Sequence, residues 1–152
     1  MTMIDEIAGY IDRLVSENPF ISGIILFGSI SRREKRERSD IDLLILWDKL
    51  EMNVSEAYIY IYKIIRKYFP ANIDLTVLEM NYLKFISMKE ITPLILNILW
   101  DGIVLYDKHG KLRDFILNIR KKIEKSGLKR KKSGKYYYWI LPKPGERVKL
   151  EV

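Results

Sequence analysis

The chain has 152 residues, 48% of them hydrophobic and 31% charged, which fits one globular domain and excludes a disordered chain. It has no Cys and a single histidine, His109, which excludes a disulfide scaffold, thiol chemistry and thiolate zinc, and argues against a histidine metal site. The net charge of +7 is uneven: residues 108–135 hold twelve Lys or Arg against Asp114 and Glu124, a balance of +10 that leaves −3 elsewhere.

Met1 to Glu6 lacks the basic start and apolar stretch of a signal peptide, and no apolar run nears the ~20 residues that span a bilayer. A cytoplasmic protein with no membrane partner is expected. Ile4, Ile7, Ala8, Ile11, Leu14 and Val15 recur at helical spacing, so a helix runs from about Met3 to Ser16 and stops at Asn18-Pro19. Gly23 to Phe27 reads as a strand buried on both faces. Residues 30–38 form a charged connection that starts with a short helical turn. Ile41 to Trp47 is the second strand.

Asn53 and Glu56 have capping-box spacing, and Val54, Ala57, Tyr58, Ile61, Ile65 and Tyr68 then form a helical stripe ended by Pro70. Ile73 to Leu78 alternates as a third strand. Thr92-Pro93 starts a helix through Trp100, and Ile103 to Tyr106 is a short fourth strand. Leu112, Phe115, Ile116, Ile119 and Ile123 mark a last amphipathic helix, ended by Gly127. Leu128 to Lys135 reads as a basic loop. The end, from Tyr136 to Leu150, reads as two short strands around Pro142-Lys143-Pro144-Gly145. The whole is an α/β (α+β) domain: a mixed sheet of about four strands with packed helices, then a basic helix and a short hairpin tail.

The chemistry concentrates between Gly28 and Asp42. A Gly-Ser turn, Gly28-Ser29, closes the first strand, and an Asp-x-Asp pair opens the second ten residues later. Side chains alternate along a strand, so Asp40 and Asp42 point the same way, about 7 Å apart. Two carboxylates that close repel unless a cation joins them. All-oxygen ligation selects Mg²⁺ or Mn²⁺. Asp74, at the start of the next strand, is the candidate third acid, able to bind metal and take a proton from an incoming hydroxyl. Gly28 lets the backbone approach a phosphate. The Ser29 hydroxyl, Arg32 and Arg33 are candidate donors to it. Each part alone has a plainer reading: a simple turn, a solvated strand entry, or Ser39 and Asp40 capping a turn. Asp48, Asp101 and Asp107 follow apolar runs and read as turn or cap residues.

Leu26-Phe27-Gly28-Ser29, Arg32 and Ser39-Asp40-Ile41-Asp42-Leu43-Leu44, with Asp74 later, together resemble the polymerase-β-like nucleotidyltransferase superfamily, most closely its minimal nucleotidyltransferases. Asp101 to Asp107 is similar to that family's closing strand. The resemblance spans residues 3–107 and divides the chain into a nucleotidyltransferase core, 1–107, and a tail, 108–152. It implies the nucleotidyltransferase fold and transfer of a nucleoside monophosphate from an NTP, usually ATP, with release of pyrophosphate. It also implies two Mg²⁺ ions held by Asp40, Asp42 and Asp74, and Gly28, Ser29 and Arg32 on the triphosphate. Many minimal members are antitoxins paired with a HEPN-type ribonuclease toxin, and some adenylylate it. No Arg shortly precedes His109 as the toxin's signature requires, so this chain would be the transferase half. One departure stands out: Arg33 occupies the place where the family usually keeps Gly.

The tail has its own logic. Basic residues between Lys121 and Lys135 lead into Tyr136-Tyr137-Tyr138-Trp139, so residues 120–139 suit RNA, with phosphates on cations and bases on rings. A solvated helix face with core-packed aromatics, or docking to an acidic protein, fits the same residues. The function classes in play are transfer to a partner protein, transfer to RNA or a small molecule, and a non-catalytic nucleic-acid-binding module. The absence of Gln, with abundant Ile, Lys, Arg and Glu, resembles thermophile composition.

Overall fold

The computed structural model describes residues 2–34 and 40–141, and the backbone of 148 and 149. Ser39 and the expected turn at Pro142 to Gly145 lie outside the described residues. The first helix, α1 (Met3–Glu17), opens with a reciprocal cap: the Thr2 hydroxyl accepts from the Asp5 amide, and the Asp5 carboxylate accepts from the Thr2 amide. β1 (Ile21–Phe27) starts two residues before the predicted Gly23 and is buried at every position, Ser22 included, as expected of a strand covered on both faces. A single turn, α2 (Gly28–Ser31), follows it directly.

β2 (Ile41–Trp47) has the expected bounds. Asn53 caps α3 (Val54–Arg66) by accepting from the Glu56 amide. β3 (Leu75–Asn81) starts two residues later and ends three residues later than its alternation predicts. Two elements escape the sequence pattern: α4 (Tyr82–Ile86), capped by Asn81, and β4 (Glu90–Ile91). Both are too short for a periodicity to emerge. Then come α5 (Pro93–Asp101), β5 (Ile103–Asp107) and α6 (Leu112–Lys125).

The end of the chain corrects the sequence reading. The expected basic loop is instead a strand, β6 (Lys129–Ser133), antiparallel to β7 (Tyr136–Ile140), with Lys129 opposite Ile140 and Ser133 opposite Tyr136. Gly134, at φ 61°, lies in the connection. A run of Lys and Arg carries no polar–apolar alternation, so its period of two was invisible. β8 (Val148–Lys149) pairs with β4 rather than with Tyr136–Ile140.

The main sheet has the order β3-β2-β1-β5 and is mixed: β1 is antiparallel to β2 and β5, whereas β2 and β3 are parallel. It separates two cores. On one face Ile24, Leu26, Leu43 and Ile45 cluster with Ile7, Ile11 and Leu14 of α1 and Ile61 and Ile65 of α3. On the other, Ile25, Phe27, Leu44 and Leu46 meet Phe85 of α4, Leu96 and Leu99 of α5, and Ile116 and Ile119 of α6. Covered on both faces, β1 and β2 have no polar alternation to show. Arg120 ties α6 to the end of α5, donating to the Leu99 carbonyl at 2.8 Å and the Gly102 carbonyl at 2.6 Å. Among the described residues no helix is long and apolar enough to cross a membrane.

Candidate active site

Strand register decides where the acids go. Parallel pairing sets Ile41 opposite Leu75 and Asp42 opposite Thr76, and the Ile41 amide donates to the Asp74 carbonyl at 2.9 Å. Asp40 and Asp74 therefore enter their strands side by side. Alternation puts Asp40, Asp42, Asp74 and Thr76 on the same sheet face as Leu44 and Leu46, the face covered further along by α4, α5 and α6. Antiparallel β1 sets Phe27 opposite Asp42, so Gly28 and Ser29 leave the sheet beside that carboxylate.

Gly28 is held against Asp42 more tightly than any other side chain would allow. Its φ is 76°, and a Cβ built there would overlap Asp42 Oδ2 and lie 3.0 Å from Asp42 Cγ. Asp42 is half-buried, whereas Asp40 and Asp74 are exposed. Burial pushes the Asp42 carboxyl above its ordinary pKa, and the negative charge of Asp40 adds to that. The Thr76 hydroxyl, donating to Asp42, and the nearby charge of Arg32 oppose it.

A hard divalent cation fits this donor set in chemistry: the ligands are all oxygens, and positive charge would relieve a desolvated, repelled carboxylate. The side chains are not gathered into a cage, however. Among the described residues no three His, Cys, Asp or Glu side chains are grouped closely enough to hold a metal.

The turn after β1 is fixed by its own bonds. Ser31 Oγ and the Arg32 amide donate to the Gly28 carbonyl at 2.7 and 3.2 Å, and the Glu34 amide donates to the Ser29 carbonyl at 2.9 Å. Arg33 is exposed at φ 58°, the left-handed conformation that glycine adopts most easily. The backbone thus keeps at Arg33 the geometry suited to the glycine its family resemblance calls for.

Arg32 does something the sequence did not predict. Its Nη1 donates to Asp101 Oδ2 at 3.3 Å, its Nε lies 3.5 Å from Glu34 Oε2, and its guanidinium sits 4.5 Å from the centre of the Tyr137 ring. Asp101 is correspondingly more than a turn residue. Its side chain is 8% exposed and takes both forks of Arg130, at 2.5 and 2.9 Å. Arg130 also lies 4.3 Å from the Tyr137 ring centre. The Tyr137 hydroxyl donates to Glu34, and Trp139 Nε1 donates to Asn97 Oδ1 at 2.8 Å. The hairpin thereby docks on α5 and on the turn after β1.

Sequence reading missed this cluster because its members lie far apart along the chain; the available signal was the inward period of Tyr137 and Trp139 opposite Lys132 and Arg130. The cap reading holds for Asp107, which accepts from the Leu112 and Arg113 amides. Asp48 bonds His109 Nε2 at 3.0 Å.

The model of the polymerase beta nucleotidyltransferase family matches residues 10–111. No curated protein matches the sequence. Several solved structures are similar to the chain. A toxin–antitoxin complex with AMP-PNP is similar at 18% identity over 78% of this chain and 87% of the other, with a TM-score of 0.51. A candidate nucleotidyltransferase of Sulfolobus solfataricus matches at 20% identity over 71% and 83%, with a TM-score of 0.46. A tri-AMPylated HEPN toxin of Shewanella oneidensis in complex with MNT antitoxin matches at 18% over 81% and 88%, with a TM-score of 0.48.

Proposed function

Because the chain belongs to the polymerase beta nucleotidyltransferase family, we propose that it transfers AMP from ATP to a hydroxyl on a partner protein, as the antitoxin of a HEPN/MNT-type pair. The observation that carries this reading is the register that sets Asp40, Asp42 and Asp74 on one face beside the Gly28 turn. The partner class draws on the shared fold with the toxin–antitoxin complex that holds AMP-PNP.

Asp40, Asp42 and Asp74 would hold Mg²⁺, which when bound neutralises phosphate charge and makes an acceptor hydroxyl more acidic. The protein's own residues do the rest. Gly28 leaves room for the Asp42 carboxylate, and its bare backbone lets a phosphate approach. Ser29 and Arg32 bind the triphosphate, and Arg33 stands at the open side of the turn. Asp74, exposed at its strand entry, takes the proton of the incoming hydroxyl. The acceptor oxygen bonds to the α-phosphorus as the bond to the β-phosphate oxygen breaks, and pyrophosphate leaves.

Labelled ATP, Mg²⁺ and a HEPN-type protein encoded beside this chain should give a labelled adduct on that protein. The adduct should be lost with Asp42→Asn. Absence of label on the partner with the unaltered chain would refute the proposal.

A second reading, transfer to RNA, rests on the outward face of the hairpin. There Lys131 lies opposite Tyr138, Tyr136 and Tyr138 are exposed, and Lys135 Nζ sits 5.4 Å from the Tyr136 ring centre. Label moving to RNA instead of protein in the same assay would select it.

A further inference from the structure

We propose that the C-terminal hairpin sets Arg32 for the triphosphate, with Tyr137 and Arg130 as its positioning residues. This deepens, and rests on, the reading that the Gly28-Ser29 turn takes an NTP. The hairpin lies outside residues 10–111, the part that the family model matches.

Asp101 is a competitor for the Arg32 guanidinium. Asp101 is a buried carboxylate within 3.3 Å of Arg32, and alone it would claim that guanidinium for itself. Arg130 prevents this by taking both Asp101 oxygens, at 2.5 and 2.9 Å, closer than Arg32 comes. Arg32 then keeps donors for another anion. Tyr137 lies against both guanidiniums, 4.5 and 4.3 Å from its ring centre, and so holds two like charges near each other. Its hydroxyl donates to Glu34, whose amide donates to the Ser29 carbonyl, so one hairpin residue fixes both the side chain and the backbone of the turn. Arg32, Arg130 and Lys132 against Asp101 and Glu34 leave one net positive charge. The Arg32 amide donates to the Gly28 carbonyl at 3.2 Å and Gly28 lies against the Asp42 carboxylate, so the charge borders the acid face.

The test is calorimetric binding of a non-hydrolysable ATP analogue with Mg²⁺ to the full chain. Tyr137→Ala should weaken binding about tenfold, and Tyr137→Phe, which keeps the ring, should recover most of it. Arg130→Ala should weaken binding similarly, because Asp101 then captures Arg32. Adding Asp101→Asn to Arg130→Ala removes the competitor and should restore affinity, a recovery that a merely structural role does not predict. Circular dichroism checks that each variant is folded, and the Arg130 pair stands whether or not Tyr137→Ala folds. An unaltered chain that binds no nucleotide overturns this inference together with the reading beneath it. Normal binding by the unaltered chain, with Tyr137→Ala and Arg130→Ala within twofold of it, overturns this inference alone. So does an Arg130→Ala defect that Asp101→Asn fails to reverse.

Discussion

Replacing Gly28 with Ala separates the backbone role of this glycine from its contact with Asp42, because the fold supplies an internal control. Gly28 and Gly110 have nearly the same φ, 76° and 72°. A Cβ at Gly110 meets nothing within 4 Å, whereas at Gly28 it overlaps the Asp42 carboxylate. Gly110→Ala should therefore cost only the left-handed conformation, about 1 kcal/mol. Gly28→Ala adds a collision with the end of a side chain, and Asp42 can swing aside by giving up the Thr76 hydroxyl, a bond worth about 1 kcal/mol. The expected totals are about 1 and about 2 kcal/mol, read from urea unfolding. Activity should diverge far more. Gly110→Ala should keep nucleotidyl transfer, and Gly28→Ala should lose about a hundredfold or more, since a displaced Oδ2 no longer lies where a metal would need it. Equal unfolding costs for the two variants, or a Gly28→Ala enzyme within threefold of normal, would refute the reasoning.

Three further outcomes are expected. Burial raises the Asp42 pKa above its ordinary 3.8, so its protonated form favours folding; that contribution is complete below 3.8 and is lost as pH rises through the raised value. Asp42→Asn should thus gain stability over the unaltered chain between acid and neutral pH while losing transfer, and melting curves across that range showing a constant gap would contradict it. Arg33→Gly should stabilise the fold by about 0.5–1 kcal/mol, because Arg33 sits at φ 58° with its side chain exposed; unfolding at unchanged urea concentration would show the strain is absent. Asp101→Ala should destabilise by about 3 kcal/mol, since it leaves two largely buried guanidiniums facing each other without their shared carboxylate; a loss below 1 kcal/mol in chemical unfolding would rule that out.

The sheet was legible because its signals are local. The apolar stretches Gly23 to Phe27 and Leu43 to Trp47 mark β1 and β2, and caps at Asn53 and Thr92 mark two helix starts. Asp40 and Asp42 were readable as a pair from spacing alone. The proximity of Asp74 needed one topological guess, that β2 and β3 are neighbours, and the parallel register supports it. The hairpin and its docking were not legible. Four basic residues in a row, Lys129 to Lys132, hide which side chains turn inward. Arg32 meets Asp101 across 69 residues, and no local pattern announces a partner that distant.

The parallel seam between β2 and β3 also bears on when the site comes into being during folding. Its acids enter from the starts of two strands, and the glycine beside them leaves from the end of a third, so the arrangement is complete only in a stretch of chain that reaches from β1 to β3. Pairing of β1 with β2 can follow from a hairpin-like collapse, but Asp74 joins only after α3 has closed a longer loop. The constellation thus waits on that longer closure, not on the first hairpin. A partly folded chain carries every residue of the centre without its geometry, and turnover in a refolding experiment should rise no earlier than the pairing of β2 with β3, later than the first secondary structure.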